Sequence, residues 1–258
     1  MDLDQHWQHY RSVINEKPAI FAVNWALCEK YDEGVTQDKI AQFSLPYRGE
    51  ENGFPSEKTY QRITKDLVKI TGLLATLPDL LYAGYMVSDN QVKLHFYCQD
   101  SSALLEVLQQ FPQVEQIDVQ EDPHWETYFD FLLPSPLEVK INATDELLEM
   151  LQQNGRNLAD IYALEHNFHF SDEESMYGFL DYIHSTDIPV SDLKHSEEAF
   201  PIDEDEEMFI VKLEQEITLD TPDIFTFVEH FEQAANQFEG EYIGWETQEL
   251  QPEKRQIN

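Results

Sequence analysis

Gln237-Phe-Glu-Gly-Glu-Tyr-Ile-Gly-Trp-Glu-Thr-Gln248 is the stretch on which the fold of the second half turns. Gly240 ends a helical pattern, and residues 241–250 read as the closing strand of a sheet. Ahead of it, Thr221-Pro222 starts a helix with proline at its first position, carrying Ile224, Phe227, Val228, Phe231 and Ala235 at helical spacing. Residues 208–217 read as a strand and residues 189–193 as a shorter one. Ser171 and Glu174 form a capping box for a helix with Met176, Phe179, Leu180 and Ile183. Residues 161–170 are a strand. Thr144 caps a leading helix, with Asp145 and Glu146 in its first turn, and Gly155 ends it. After that leading helix the order is β-α-β-β-α-β, a ferredoxin-like sandwich with two helices on one sheet face and the other face free.

The same half is where the charge collects. The 258 residues hold 51 Asp/Glu and 16 Lys/Arg, a net of −35. Residues 143–258 hold 29 acids and 5 bases, a net of −24; residues 1–142 hold 22 and 11, a net of −11. Hydrophobic content of 41% with 12% aromatics is enough for cores, so the charge does not imply disorder. A nucleic-acid duplex or an anionic membrane is a poor partner for such a surface, because both demand clustered Lys/Arg. A basic protein segment is the complementary one. No run reaches 18 apolar residues, and Met-Asp-Leu-Asp-Gln-His-Trp lacks a basic segment followed by an apolar one. Neither a membrane-spanning helix nor a secretory signal is expected, and the location is read as cytoplasmic. Cys28 and Cys98 are expected as free thiols.

A break at Ser135-Pro136 to Ala143 separates two α+β modules, residues 1–136 and 143–250. In the first, residues 7–13 read as a short helix. Residues 19–27 read as a buried strand with residues 39–47 as its hairpin partner. Ser56 caps a long amphipathic helix carrying Tyr60, Ile63, Leu67, Ile70 and Leu74. Ser88-Asp-Asn-Gln91 joins two strands. A short helix, a strand and a final strand ending at Pro134 complete an antiparallel sheet with helices on one face. His95–Asp100, succeeded by a helix, a strand and an acid-rich hairpin, resembles Phe168–Asp172 with the same succession; duplication and shared geometry both account for this.

The second module is similar to the family of RraB, regulator of ribonuclease E activity B. Four pieces carry the likeness: Leu148 and Leu151 in a helix ending at Gly155, Tyr162-Ala-Leu-Glu-His166, Ser171-Asp-Glu-Glu174, and Phe238-Glu-Gly-Glu-Tyr-Ile-Gly-Trp245. About a hundred residues are covered. Ile243 stands where the family usually has Asp, and Lys254-Arg255-Gln-Ile-Asn258 stands in place of the acidic tail of some members. The resemblance implies a non-enzymatic regulator that binds the scaffold region of ribonuclease E without touching RNA. The first module resembles an uncharacterised bacterial family through Gly53-Phe54-Pro55, His95-Phe-Tyr97 and Asp122-Pro-His-Trp-Glu-Thr-Tyr128; this assigns no function.

Strand alternation supplies the candidate contacts. Phe209, Val211 and Leu213 fall on one side of their strand, and Lys212, Glu214 and Glu216 on the other. Leu164, His166 and Phe168 share a side, opposite Glu165 and His169. The expected protein-binding face therefore holds Glu165, Glu214 and Glu216, extended by Glu197, Glu198 and the run Asp203, Glu204, Asp205, Glu206, Glu207. Each of these residues also fits a merely solvated surface. His166 and His169, three apart on a strand, point to opposite faces and do not chelate one ion. The acid run lacks the spacing of a calcium loop. No nucleotide, zinc or nucleophile motif is present, so no cofactor, metal or catalytic set is expected. Two other readings stay open: an enzyme or small-molecule pocket around His124, Trp125 and Tyr128, and an immunity or antitoxin-like protein facing a basic toxin.

Overall fold

The computed structural model describes residues 6–203 and 206–247. It divides into two compact units, residues 1–138 and 139–258. Among the described residues no helix is long and apolar enough to cross a membrane.

The first unit opens with β1 (Trp7–Ile14) and β2 (Lys17–Asn24), paired in register from Trp7 opposite Asn24 to Ile14 opposite Lys17. This corrects the helix read at residues 7–13. Trp7, Tyr10 and Val13 have helical spacing, but Asn15 and Glu16 take left-handed backbone (φ 50° and 65°) and form a two-residue turn whose twist suits a hairpin. The chain continues through α1 (Ala26–Asp32), which takes in Leu27 and Cys28, and β3 (Lys39–Pro46). β3 pairs with β5 (Gln91–Cys98) and β6 (Glu115–Glu121), not with β2. α2 (Glu57–Leu74) and β4 (Leu81–Ser88) come between them, and α3 (Ser102–Leu108) links β5 to β6.

Ser56 accepts the Thr59 amide and caps α2, as its place in the sequence suggests. The antiparallel sheet runs β1-β2-β4-β5-β3-β6. Its last four strands, with α2 and α3, form a β-α-β-β-α-β core; β1 and β2 extend that core at the β4 edge. One apolar cluster joins α2 and α3 to the sheet through Ile63, Ile70, Leu74 and Leu104. A second joins α1 to strand residues and to Trp125, Tyr128 and Leu132. The segment ending at Pro134, expected as a strand, is a π-helical stretch, Thr127–Leu132. Asp122 organises it: the buried carboxylate accepts the amides of Glu126 (2.7 Å) and Thr127 (3.0 Å) and the Tyr97 hydroxyl (2.6 Å).

α4 (Pro136–Gln153) begins at proline and runs through the segment 136–143, so Thr144 lies inside the helix rather than at its cap. Gly155, in left-handed backbone, closes it, with the Arg156 amide returning to the Leu151 carbonyl. The second unit then runs through β7 (Ile161–Phe170), α5 (Glu173–Ser185), β8 (Asp192–His195), β9 (Phe200–Asp203), β10 (Glu206–Thr218), α6 (Asp223–Gln237) and β11 (Gly240–Thr247). Asp172, one residue after Ser171, is the cap of α5 and accepts the Ser175 amide at 2.8 Å.

The second sheet runs β11-β7-β10-β8, with β9 pairing the start of β10. That is the expected ferredoxin-like order. It is also the order of the β4-β5-β3-β6 core in the first unit. Residues 95–100 and 168–172 each lead into a strand-helix-strand crossover that skips one strand. Gly240 starts β11 instead of ending α6. A Cβ there would lie 2.2 Å from the Phe170 ring, so only glycine lets that ring lie over the strand. Half-buried Lys140 of α4 and buried Glu232 of α6 pair at 3.1 Å.

Candidate protein-binding face

β7 alternates between buried and accessible positions along its whole length. Tyr162, Leu164, His166, Phe168 and Phe170 face the helices, and the residues between them face outward. β11 keeps the same parity only after a bulge between Tyr242 and Gly244, where Ile243 is pushed out to solvent. Tyr242 and Trp245 thereby both point inward. His166 Nδ1 and the Tyr242 hydroxyl share a hydrogen bond of 2.8 Å, and Trp245 Nε1 donates to Thr144 Oγ1 at 2.9 Å. The Tyr-Ile-Gly-Trp motif is thus a piece of core. Burial drives His166 down to a pKa of about 3, so its ring is neutral in the fold.

On the outward side, the registers line up four carboxylates, one per strand. Glu246 of β11 lies opposite Glu165 of β7, Glu165 opposite Glu214 of β10, and Glu214 opposite Asp192 of β8. Glu165 and Glu214 come together as the sequence indicates. Asp192 and Glu246 do not follow from alternation alone. They need the cross-strand register, and for Glu246 the bulge, neither of which leaves a mark in composition.

Like charges opposite one another are unfavourable unless something intervenes. The next row supplies it, with Lys212 opposite both Asn167 and Lys194. Lys212 pairs with Glu165, and Lys194 lies 2.7 Å from Glu214 and 2.8 Å from Asp192. The Lys194 hydrogen bond holds the Asp192 carboxyl below its usual range, and the two acids raise Lys194. All these groups meet water, so the pairs are weak and exchangeable.

Glu216, opposite Ala163, continues the outward side of β10. Glu197 and Glu198 are exposed in the connection from β8 to β9. Asp203 and Glu206 end and begin the paired β9 and β10, and Glu207 is exposed. Glu204 and Asp205 lie outside the described residues, as do residues 248–258. Among the described residues no cluster of three or more His, Cys, Asp or Glu is placed to hold a metal ion.

Trp125 and Tyr128, which the alternative small-molecule reading placed around a pocket, are packed in the core. Both side chains are fully buried; Trp125 stacks on Tyr97 with centroids 4.1 Å apart and donates to the Gln37 carbonyl, and the Tyr128 hydroxyl donates to the Asn24 carbonyl.

Fold and face together define an α+β protein of two units, the second presenting a charged sheet surface. The chain belongs to the family of unknown function DUF695, whose model matches residues 5–133, half of its length. Its second half matches the model for regulator of ribonuclease activity B, RraB, over residues 141–247. Among solved structures, one titled as the crystal structure of an unknown protein from Galdieria sulphuraria is similar at 10% identity and a TM-score of 0.24, over 82% of this chain and 98% of that one. No curated protein matches.

Proposed function

We propose that this protein regulates a ribonuclease by binding protein rather than by chemistry of its own. In this reading the RraB-type unit lays the row Glu246, Glu165, Glu214, Asp192 against a Lys/Arg-rich segment of its partner, such as the scaffold region of ribonuclease E. The observation that carries the reading is that row: four strands, one carboxylate each, on the sheet side away from the helices. Incoming arginines or lysines displace Lys194 and Lys212 from their acids, an exchange of exposed ion pairs that costs little. Binding is then steered by charge and sensitive to salt. Glu216 and the exposed acids Glu197, Glu198 and Glu207 widen the negative field around the row.

Charge reversal tests the placement. E165K/E214K is expected to weaken binding to a purified ribonuclease E scaffold fragment at low salt by about tenfold or more, in line with the ~1.4 kcal/mol that tenfold represents. E197K/E198K, in the loop, is expected to lower the association rate with a smaller loss of affinity. Wild-type affinity in E165K/E214K, with circular dichroism unchanged, would rule out this face.

A further inference from the structure

The first unit holds a groove of about 950 Å³ that no motif foreshadowed. Topology makes it. The face carrying α2 and α3 spans six strands, but two helices, each about 10 Å across, cover roughly four strands at 4.8 Å spacing. The β1-β2-β4 side of that face is left beside α2. Trp7, Ile20, Tyr82 and Tyr85 form its floor, and Thr64, Val68 and Thr71 of α2 line its wall.

Its chemistry is unlike the rest of the molecule. In a chain with 26% charged residues, about five of twenty lining residues would carry charge by composition alone. Here none of the twenty is Asp, Glu, Lys or Arg. The floor is aromatic: Trp7 meets Tyr82 edge-on at 4.9 Å, and Tyr82 stacks on Phe96 at 4.5 Å. The Thr64 and Thr71 hydroxyls already donate to helix carbonyls, at 2.9 and 2.8 Å. Tyr60, Tyr82 and Tyr85 are the lining residues that carry phenol groups. Size, apolar lining and few polar groups are the marks of a small-molecule site.

We propose that this groove binds an uncharged small molecule with an apolar acyl or aryl body and a hydroxyl or carbonyl end. Neutral walls in a half of the chain with net charge −11 over residues 1–142 favour a neutral occupant over an anion, which the surrounding field repels. The same repulsion disfavours a second copy of the chain.

Gly72 offers a clean probe. It lies within α2 and lines the groove, and a Cβ built on it meets nothing within 4 Å. Replacing a helical glycine also removes a cost of up to about 1 kcal/mol. G72F therefore carries a ring to the groove from a position where the added Cβ meets no other atom. V68E, at a position 66% exposed, puts a charge on the wall. The full chain is titrated with the neutral dye Nile red, then challenged by competition with 1-decanol and with decanoate. Saturable binding of one dye per chain is expected, weakened at least tenfold in both variants, with decanol displacing the dye and decanoate failing to at the same concentration. Three results would overturn the proposal: no saturable binding, wild-type binding in either folded variant, or a dimer that V68E converts to monomer.

Discussion

His166 shows how one residue ties core to stability. It packs against Phe231 and Tyr242, and burial keeps its ring neutral, with a pKa of about 3 against an ordinary value of 6.5. The unfolded chain protonates this ring below pH 6.5 while the folded one does not. Stability therefore drains away as pH falls from 6.5 toward 3, at about 1.4 kcal/mol per pH unit. Urea unfolding of wild type and H166F at pH 7 and pH 5 tests this. The wild-type advantage over H166F is expected to shrink by about 2 kcal/mol between those values; an advantage independent of pH would contradict it. Gly240 is an opposite case, where an absent side chain makes room for the Phe170 ring.

At the scale of elements, the Asp122 carboxylate fixes the π-helical stretch to β5 through Tyr97 and two amides. Burial opposes its charge, but these hydrogen bonds outweigh burial and hold its pKa below the usual range. D122N is expected to destabilise the first unit by about 1–3 kcal/mol at pH 7, read from tryptophan fluorescence in urea, three of the four tryptophans lying in that unit. That difference should persist down to about pH 4 and fade below, as the wild-type carboxylate protonates. A loss that stays constant to pH 2 would mean the charge is irrelevant. The same scale shows what a sequence discloses. Strands such as β7 and β5 were legible because apolar alternation and turn residues agree. β1 was not, because Trp7, Tyr10 and Val13 imitate a helix and the turn uses Asn15-Glu16 where Asn-Gly is the stronger signal. Glu165 and Glu214 could be read as one face from alternation. Asp192 and Glu246 join them only through pairing and the bulge at Ile243, and the groove beside α2 arises from a count of strands and helices that no single segment contains.

The whole molecule repeats one sheet order twice and puts it to different uses. In the first unit two added strands outrun the helical cover and leave a neutral groove. In the second the helices occupy one side and the other carries the carboxylate row, within a segment of net charge −24 over residues 143–258. The carboxylate row is proposed to meet a basic protein segment. The most direct measurement of this is calorimetric titration of the full chain against the ribonuclease E scaffold fragment at 50 and 300 mM salt, for wild type and E165K/E214K. Wild-type affinity is predicted to fall steeply with salt, and the variant to bind more weakly with a shallower salt dependence. Equal affinities with equal salt dependence for the two proteins would contradict the account.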